Sequence, residues 1–280
     1  MKILINYADE AYEKTQMINS ASGKKIGKFD KVFSYSPKDI DTSFLKKNEK
    51  IFKEKRGNGL WLWKPYFINK ALEESNDGDY LFYCDSGSFF IRSIDNLIIS
   101  MRKNEYIWVS DNPLLECCFT KKKCFEKMDC TDDSFLYSNQ IQGGFVLMIN
   151  SPQTREFIRE WLQLCTDFDL LSTEDNSEEN RNSVLDFVSH REDQSILSLL
   201  CKKKGIKAHK DPSHRGYFVE TFYNPSYKFL VPNHPDDKYK PILFLHKHKQ
   251  VKIFDMLKVL AFGIICKYRY RRVKQGNDVV

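Results

Sequence analysis

A chain of 280 residues with 41% hydrophobic, 29% charged and 14% aromatic side chains can bury a sizeable core, which excludes a staple-dependent miniprotein and disorder over most of its length. No run reaches the ~20 uninterrupted apolar residues of a spanning helix, which excludes a multi-pass membrane protein. The formal charge of +6 is unevenly spread: from Lys247 to Lys274 nine Lys and Arg side chains stand against one acid, Asp255, and the rest of the chain is slightly acidic. That argues against a nucleic-acid-binding surface over the whole molecule and places the basic partner site in the tail.

The opening Met1-Lys2-Ile3-Leu4-Ile5-Asn6-Tyr7 turns polar too soon for the apolar stretch of a signal peptide and reads as a first strand. Strand-like runs at 31–35, 80–84, 106–110 and 145–150 follow, alternating with helical patterns over 9–20, 43–52, 64–74, 95–103, 152–165 and 192–204. This alternation predicts one layered α/β domain over residues 1–249. Ser151-Pro152 supplies a cap and a first-turn proline, and Gly205 stops the helix over 192–204. The polar stretch from Ser172 to Asn180 has no apolar period and reads as an exposed loop. A short strand, 241–245, ends in His246-Lys247-His248-Lys249. The eight cysteines lack CxxC spacing and read as reduced thiols of a cytoplasmic protein; the alternative is a zinc site from the loose cluster Cys117, Cys118, Cys124 and Cys130.

Four segments carry side chains suited to chemistry. The strand Tyr80-Leu81-Phe82-Tyr83-Cys84 delivers Asp85-Ser86-Gly87-Ser88 at its carboxyl end, where open α/β sheets bind ligands; the other reading is a plain Asp-Ser-Gly turn. In Arg56-Gly57-Asn58-Gly59-Leu60-Trp61-Leu62-Trp63-Lys64-Pro65, the glycines permit close approach and the indoles suit sugar or base rings, unless both tryptophans are core. His190 shares a helical face with Asp193 and Gln194, as a polar cluster or as a cap. In His246-Lys247-His248-Lys249 alternate residues share a side, so two histidines face a metal and two lysines a phosphate, or the reverse, or all form a basic turn.

Together these segments resemble nucleotide-sugar glycosyltransferases of the GT-A fold, of the bacterial capsule and lipopolysaccharide type, similar in plan to the retaining family 8 enzymes. The resemblance covers roughly 1–249 and implies a Rossmann-like domain with a central, mostly parallel sheet flanked by helices. It implies an Asp-x-Asp motif and a late histidine holding Mn²⁺ or Mg²⁺ on the donor diphosphate. Asp85 matches the first aspartate, Gly87 stands where the second would be, and His246 or His248 completes the set. Asp193 would orient the donor sugar and Gln194 face its anomeric carbon. Asp85, Ser86, Gly87, Trp61, Trp63, Lys64, Arg56, Lys247 and Lys249 would bind the donor, probed first as a UDP-sugar. Gln142, Gly143 and Gly144 would meet a glycan or lipid-linked acceptor in surface polysaccharide synthesis.

The tail over 250–280 has apolar residues at Ile253, Phe254, Leu257, Leu260, Ala261, Ile264, Ile265 and Tyr268, followed by Arg269, Arg271, Arg272 and Lys274. That stripe predicts an amphipathic helix docking on the anionic inner face of the cell membrane, or one packed on the domain's own core. Two readings from other classes are a nucleotide-sugar-binding module without turnover, which would explain Gly87, and a tail-driven membrane or RNA-binding protein. On the enzyme reading no nucleic-acid partner is expected.

Overall fold

The computed structural model describes residues 1–173, 187–224, 229–246 and 253–276, with side chains of the last helix described from Met256 to Arg271. Its strands are β1 (Lys2–Tyr7), β2 (Lys31–Tyr35), β3 (Tyr80–Cys84), β4 (Ser88–Phe90), β5 (Ile107–Trp108), β6 (Asp111–Leu115), β7 (Asn139–Ile141), β8 (Phe145–Ile149) and β9 (Leu243–Leu245). The longer helices are α1 (Glu13–Ser22), α2 (Trp63–Glu73), α3 (Asp95–Ser100), α4 (Pro152–Cys165), α5 (Glu192–Lys203) and α6 (Ile253–Gly276).

The central sheet runs β2-β1-β3-β8-β5. Its first three strands are parallel neighbours, while β8 lies antiparallel between β3 and β5, so it alone runs against the rest. Alternate side chains feed two cores. Ile3, Ile5, Leu81, Tyr83, Val146 and Met148 meet α2, α4 and α5 on one face, while Leu4, Phe82, Cys84, Phe145 and Leu147 meet Phe90, Ile94 and Leu97 on the other. Because both faces are covered there, β3 and β8 read as nearly continuous apolar runs.

Most expected elements form. The helix over 152–165 has the expected bounds, and the Ser151 hydroxyl accepts from the Thr154 amide at 3.2 Å. The helix expected over 43–52 is instead two short ones, Thr42–Lys47 and Glu49–Phe52, broken where Asn48 leaves helical geometry (φ −114°, ψ 28°). The strand expected over 106–110 is ladder-paired with β8 at Ile107 and Trp108, and Ser110 bridges His209 instead. Ser172 departs from the exposed-loop expectation: it is buried, its carbonyl accepting from Lys121 Nζ. Residues 174–180 of that loop lie outside the described residues.

One topological fact positions the site. Since β8 is antiparallel to β3, its amino end (Cys84 pairs with Phe145) meets the carboxyl ends of β1 and β3 at the same sheet edge.

Candidate functional site

At that edge β3 releases Asp85, whose amide donates to the Gly144 carbonyl at 2.9 Å. The Asp85 carboxylate accepts from the Tyr83 hydroxyl at 2.6 Å and remains 45% exposed to the cleft. Burial, with the Asp85 charge beside it, raises the Tyr83 phenol well above its ordinary value, so it stays a donor. Gly143 and Gly144 are tightly bordered by cleft side chains, which would have to shift by a few tenths of an ångström to admit a β-carbon. A β-carbon at Gly144 would stand 3.3 Å from Asp85 Oδ2, and one at Gly143 would stand 3.3 Å from Asp193 Oδ2 and 3.4 Å from Lys64 Nζ.

Opposite lies an unusual turn. Gly57, Asn58, Gly59, Leu60 and Trp61 all have positive φ, from 53° to 91°. Gly57 is required both by its φ of 59° and by the Trp61 ring, which would stand 2.2 Å from any β-carbon there. The turn ends by launching α2, whose Pro65 sits in the first turn, where no amide donor is needed. Lys64, 4% exposed, then reaches inward to Asp193 Oδ2 at 2.8 Å and lies 3.9 Å from Asp85 Oδ1. Burial pulls the Lys64 ammonium down, but Asp193 and Asp85 outweigh it and hold it above the ordinary lysine value.

The third wall is the start of α5. The Glu192 carboxylate takes Arg56 Nε, tying the turn to the helix. Burial raises the Asp193 carboxyl to about 7, with Lys64 pulling the other way. The Gln194 amide is fixed at both ends: its oxygen accepts from the Gly143 amide at 3.1 Å and its nitrogen donates to Gln140 Oε1 at 2.6 Å. Behind it, buried Glu116 accepts from Thr120 at 2.6 Å and from Lys202 at 2.7 Å, an anchor for this wall. His190 does not join the polar cluster, because it precedes the helix and is buried. Its Nδ1 accepts from the Lys121 amide at 3.3 Å and its Nε2 meets the Leu170 carbonyl at 2.9 Å, while burial lowers its pKa to about 3.

These walls enclose two lobes that share Trp61, Asp85 and Gly87. A lobe of about 580 Å³ is lined by Tyr7, Tyr12, Asn58, Trp63 and Ser86. One of about 440 Å³ is lined by Lys64, Gln142, Asp193 and Gln194, with Arg56, Arg191 and Arg215 around it. The tryptophans divide the two readings given to them. Trp63 is a buried wall, stacked on Tyr7 at 3.8 Å with its indole nitrogen donating to the Gly57 carbonyl at 2.8 Å, whereas Trp61 is the partition between the lobes.

Arg56, Trp61, Trp63, Lys64, Asp85, Ser86, Gly87, Gln142, Gly143, Gly144, Asp193 and Gln194 therefore converge on one cleft. Lys247, His248 and Lys249 lie outside the described residues. The side chain of His246 departs from its expected place. Leu245 lines the cleft, while Phe244 and His246 lie on the opposite side of the strand, where both rings stack on Phe89. The serine hydroxyls donate to the backbone, Ser86 Oγ to the Tyr7 carbonyl at 2.6 Å and Ser88 Oγ to the Asp85 carbonyl at 2.7 Å. Among the described residues Asp85 and His246 do not converge as a cation site, His248 of the expected set lying outside them. Among the described residues no three His, Cys, Asp or Glu side chains converge to hold a metal, the cluster from Cys117 to Cys130 included. None of the eight cysteines forms a disulfide, and seven of them are buried. Residues not anticipated from sequence include Tyr7, Asn58, Arg191 and Arg215. Tyr7 was findable, since it ends a strand parallel to β3 and so opens on the same edge.

Helix α6 turns an unexpected face inward. Met256, Val259, Gly263, Cys266 and Tyr270 form the covered side, with Gly263 against the Phe218 ring. Leu257, Ile264, Ile265 and Tyr268, expected in the amphipathic stripe, are more than half exposed, as is Phe262. The stripe is thus not packed on the domain's own core. Among the described residues no helix is long and apolar enough to cross a membrane.

No family model matches this sequence, and no curated protein matches it. Among solved structures the chain is similar to apo mouse xyloside xylosyltransferase 1, at 8% identity and TM-score 0.47, over 90% of this chain and all of that one. It is similar to galactosyltransferase LgtC in complex with donor and acceptor sugar analogues, at 14% identity and TM-score 0.47, over 88% of this chain and 86% of that one. It is also similar to apo glycosyltransferase GlyE of Streptococcus pneumoniae TIGR4, at 15% identity and TM-score 0.42, over 90% of this chain and 55% of that one. At such identities the likeness concerns the course of the chain, and the chemistry has to be argued from the side chains of the cleft.

Proposed function

We propose that this protein is a glycosyltransferase that moves a hexosyl group from a nucleotide sugar, with UDP-sugars the first class to test, to a hydroxyl of a glycan or lipid-linked acceptor. The observation that carries this reading is the pair of lobes joined at Asp85 and Trp61, with the Lys64–Asp193 ion pair and the clamped Gln194 amide in one of them. Aromatic walls at Tyr7, Tyr12, Trp61 and Trp63 suit a nucleoside in the larger lobe. The smaller lobe, polar and fixed by hydrogen bonds, suits a sugar. Its diphosphate would then lie at the junction.

Within this reading Asp85 and Asp193 accept from donor hydroxyls, and Lys64 holds both carboxylates in place. The Gln194 amide faces the reacting carbon. The glycosidic bond to the diphosphate breaks as the bond to the acceptor oxygen forms on the same side, the acceptor's proton passing to the departing phosphate oxygen, so configuration is retained. Gln142, Gly143 and Gly144 border the acceptor's approach, and cationic side chains that meet the growing phosphate charge stabilise the transition state more than the ground state.

The exposed apolar side of α6, together with Lys258, Lys267, Arg269 and Arg271 on the same helix, supports docking on an anionic bilayer. Such docking suits a lipid-linked acceptor in surface polysaccharide synthesis at the inner face of the cell membrane. The test is a donor-hydrolysis screen over UDP- and GDP-sugars, with the anomeric configuration of the product read by NMR. Release of nucleoside diphosphate from one donor class supports the assignment. Tight binding of a nucleotide sugar with no turnover under any acceptor condition would instead favour a binding module.

A further inference from the structure

We propose that the cleft holds the donor diphosphate without a divalent cation, the guanidinium groups of Arg56 and Arg191 meeting the charge a metal ion would otherwise carry. The inference rests on the nucleotide-sugar reading and adds to it how the diphosphate is bound.

The first ground is the state of the carboxylate that would hold a metal. Gly87 stands where a second carboxylate would follow Asp85 in the chain, and the Asp193 carboxylate across the cleft is paired with Lys64. The flanking serine hydroxyls are donated to backbone carbonyls, and the His246 ring stacks on Phe89. Asp85 also already has a cation, since the buried Lys64 ammonium sits 3.9 Å from it and is fixed there by Asp193. A dication placed on Asp85 would meet the repulsion of that ammonium, which Asp193 fixes in place.

The second ground is the charge of the lobe. Among the described residues its lining carries four cationic side chains, Arg56, Lys64, Arg191 and Arg215, against three acidic ones, Asp85, Glu192 and Asp193. Metal sites gather an excess of carboxylates, whereas this described lining has one cation more than it has acids. Within it, Lys64 is buried against carboxylates at 4% exposure, whereas the Arg56 side chain is 56% exposed with only its Nε placed on Glu192. Arg56 and Arg191 bracket Glu192. Arg56 rides on the left-handed turn, its Nε on Glu192 and its guanidinium 5.5 Å from the centre of the Trp61 ring that divides the lobes. Arg191 precedes Glu192 in the chain and is backed by the Phe119 ring at 4.5 Å. Both line the smaller lobe, so each can offer one planar fork of donors to a phosphate.

Calorimetry of the full-length protein with UDP, and with GDP in parallel, tests this after exhaustive dialysis against EDTA and again in excess Mn²⁺. The expected result is binding in EDTA within about threefold of that in Mn²⁺. Arg56→Gln, which keeps a donor for Glu192, and Arg191→Gln should each weaken binding about tenfold or more in both buffers, the scale of one charge-assisted hydrogen bond. Both variants should melt within a few degrees of the parent, which separates lost binding from lost fold. Nucleotide binding seen only with Mn²⁺ would overturn the inference and leave the glycosyltransferase reading standing. Binding indifferent to both arginines would overturn it as well. No nucleotide binding in either buffer would overturn both.

Discussion

Replacing Lys64 by methionine removes a buried charge while keeping the length of the side chain, and its cost is predicted to depend on pH. In the parent, Lys64 Nζ lies 2.8 Å from Asp193 Oδ2 with both groups almost wholly buried. Breaking a buried pair by removing one partner costs about 3–5 kcal/mol when the other charge is stranded. Asp193 can escape by taking a proton, and burial already raises its pKa from 3.8 to about 7 with the ammonium in place. Without the ammonium it rises further. A carboxyl whose folded pKa is raised contributes stability that is fully present below the unfolded value and is lost as pH rises through the folded value. Asp193 in the parent therefore stops eroding stability above about pH 7, whereas in Lys64→Met the erosion continues at about 1.4 kcal/mol per pH unit. Urea unfolding followed by circular dichroism at pH 6, 7 and 8 should show the gap between parent and variant widening with pH. The double variant Lys64→Met/Asp193→Asn should lose most of that dependence. A gap that is constant from pH 6 to 8 would refute the electrostatic coupling.

Three further outcomes follow from the cleft and from α6. Asp85→Ala should lower turnover about 100-fold, equivalent to ~2.7 kcal/mol of transition-state stabilisation, with circular dichroism unchanged; parental rates in the folded variant would remove Asp85 from the site. Asp193→Ala should abolish transfer while leaving UDP affinity within about threefold by calorimetry, since losses above tenfold belong to contacts worth at least 1.4 kcal/mol; loss of UDP binding would place Asp193 beside the nucleotide. Full-length protein should co-sediment with vesicles rich in anionic lipid, less so in high salt and not after truncation beyond Gln250, whereas equal recovery in the supernatant with and without such vesicles refutes docking through α6.

The sequence made β3 and β8 legible because each, buried on both faces, reads as an apolar run between polar turns, while the edge strand β2 keeps Lys31 and Ser34 exposed. It also marked most of the cleft, since Asp85, Lys64, Asp193 and Gln194 sit at element ends, where strand and helix boundaries are visible. Sequence did not reveal what the third dimension supplies. The side that His246 faces depends on the pairing of β4 with β9, which sets Ser88 opposite Leu245, and no local pattern encodes that register. The buried role of His190 needs Leu170 and Lys121, twenty and sixty-nine residues away in the chain. The face of α6 that turns inward was hidden because that helix is apolar on more than one side, so periodicity alone could not choose Gly263 and Cys266 over Ile264 and Ile265.

The left-handed run over 57–61 also bears on how the cleft holds itself open. Asn58, Leu60 and Trp61 each occupy a backbone region that costs a non-glycine residue of order 1 kcal/mol. Local bonds such as Leu60 amide to Arg56 carbonyl at 2.9 Å offset part of that strain, and Tyr7 on Asn58 and Glu192 on Arg56 brace the turn from elsewhere. A strained segment that leans in part on distant contacts is among the first to open in the native ensemble. Because Trp61 belongs to both lobes, a bound nucleotide sugar would add its own free energy to closing that segment. Trypsin, which cuts after lysine and arginine, would thus find Lys53, Lys55 and Arg56 at a rate that falls as the site fills, making nicking in this stretch a readout of occupancy that needs no turnover.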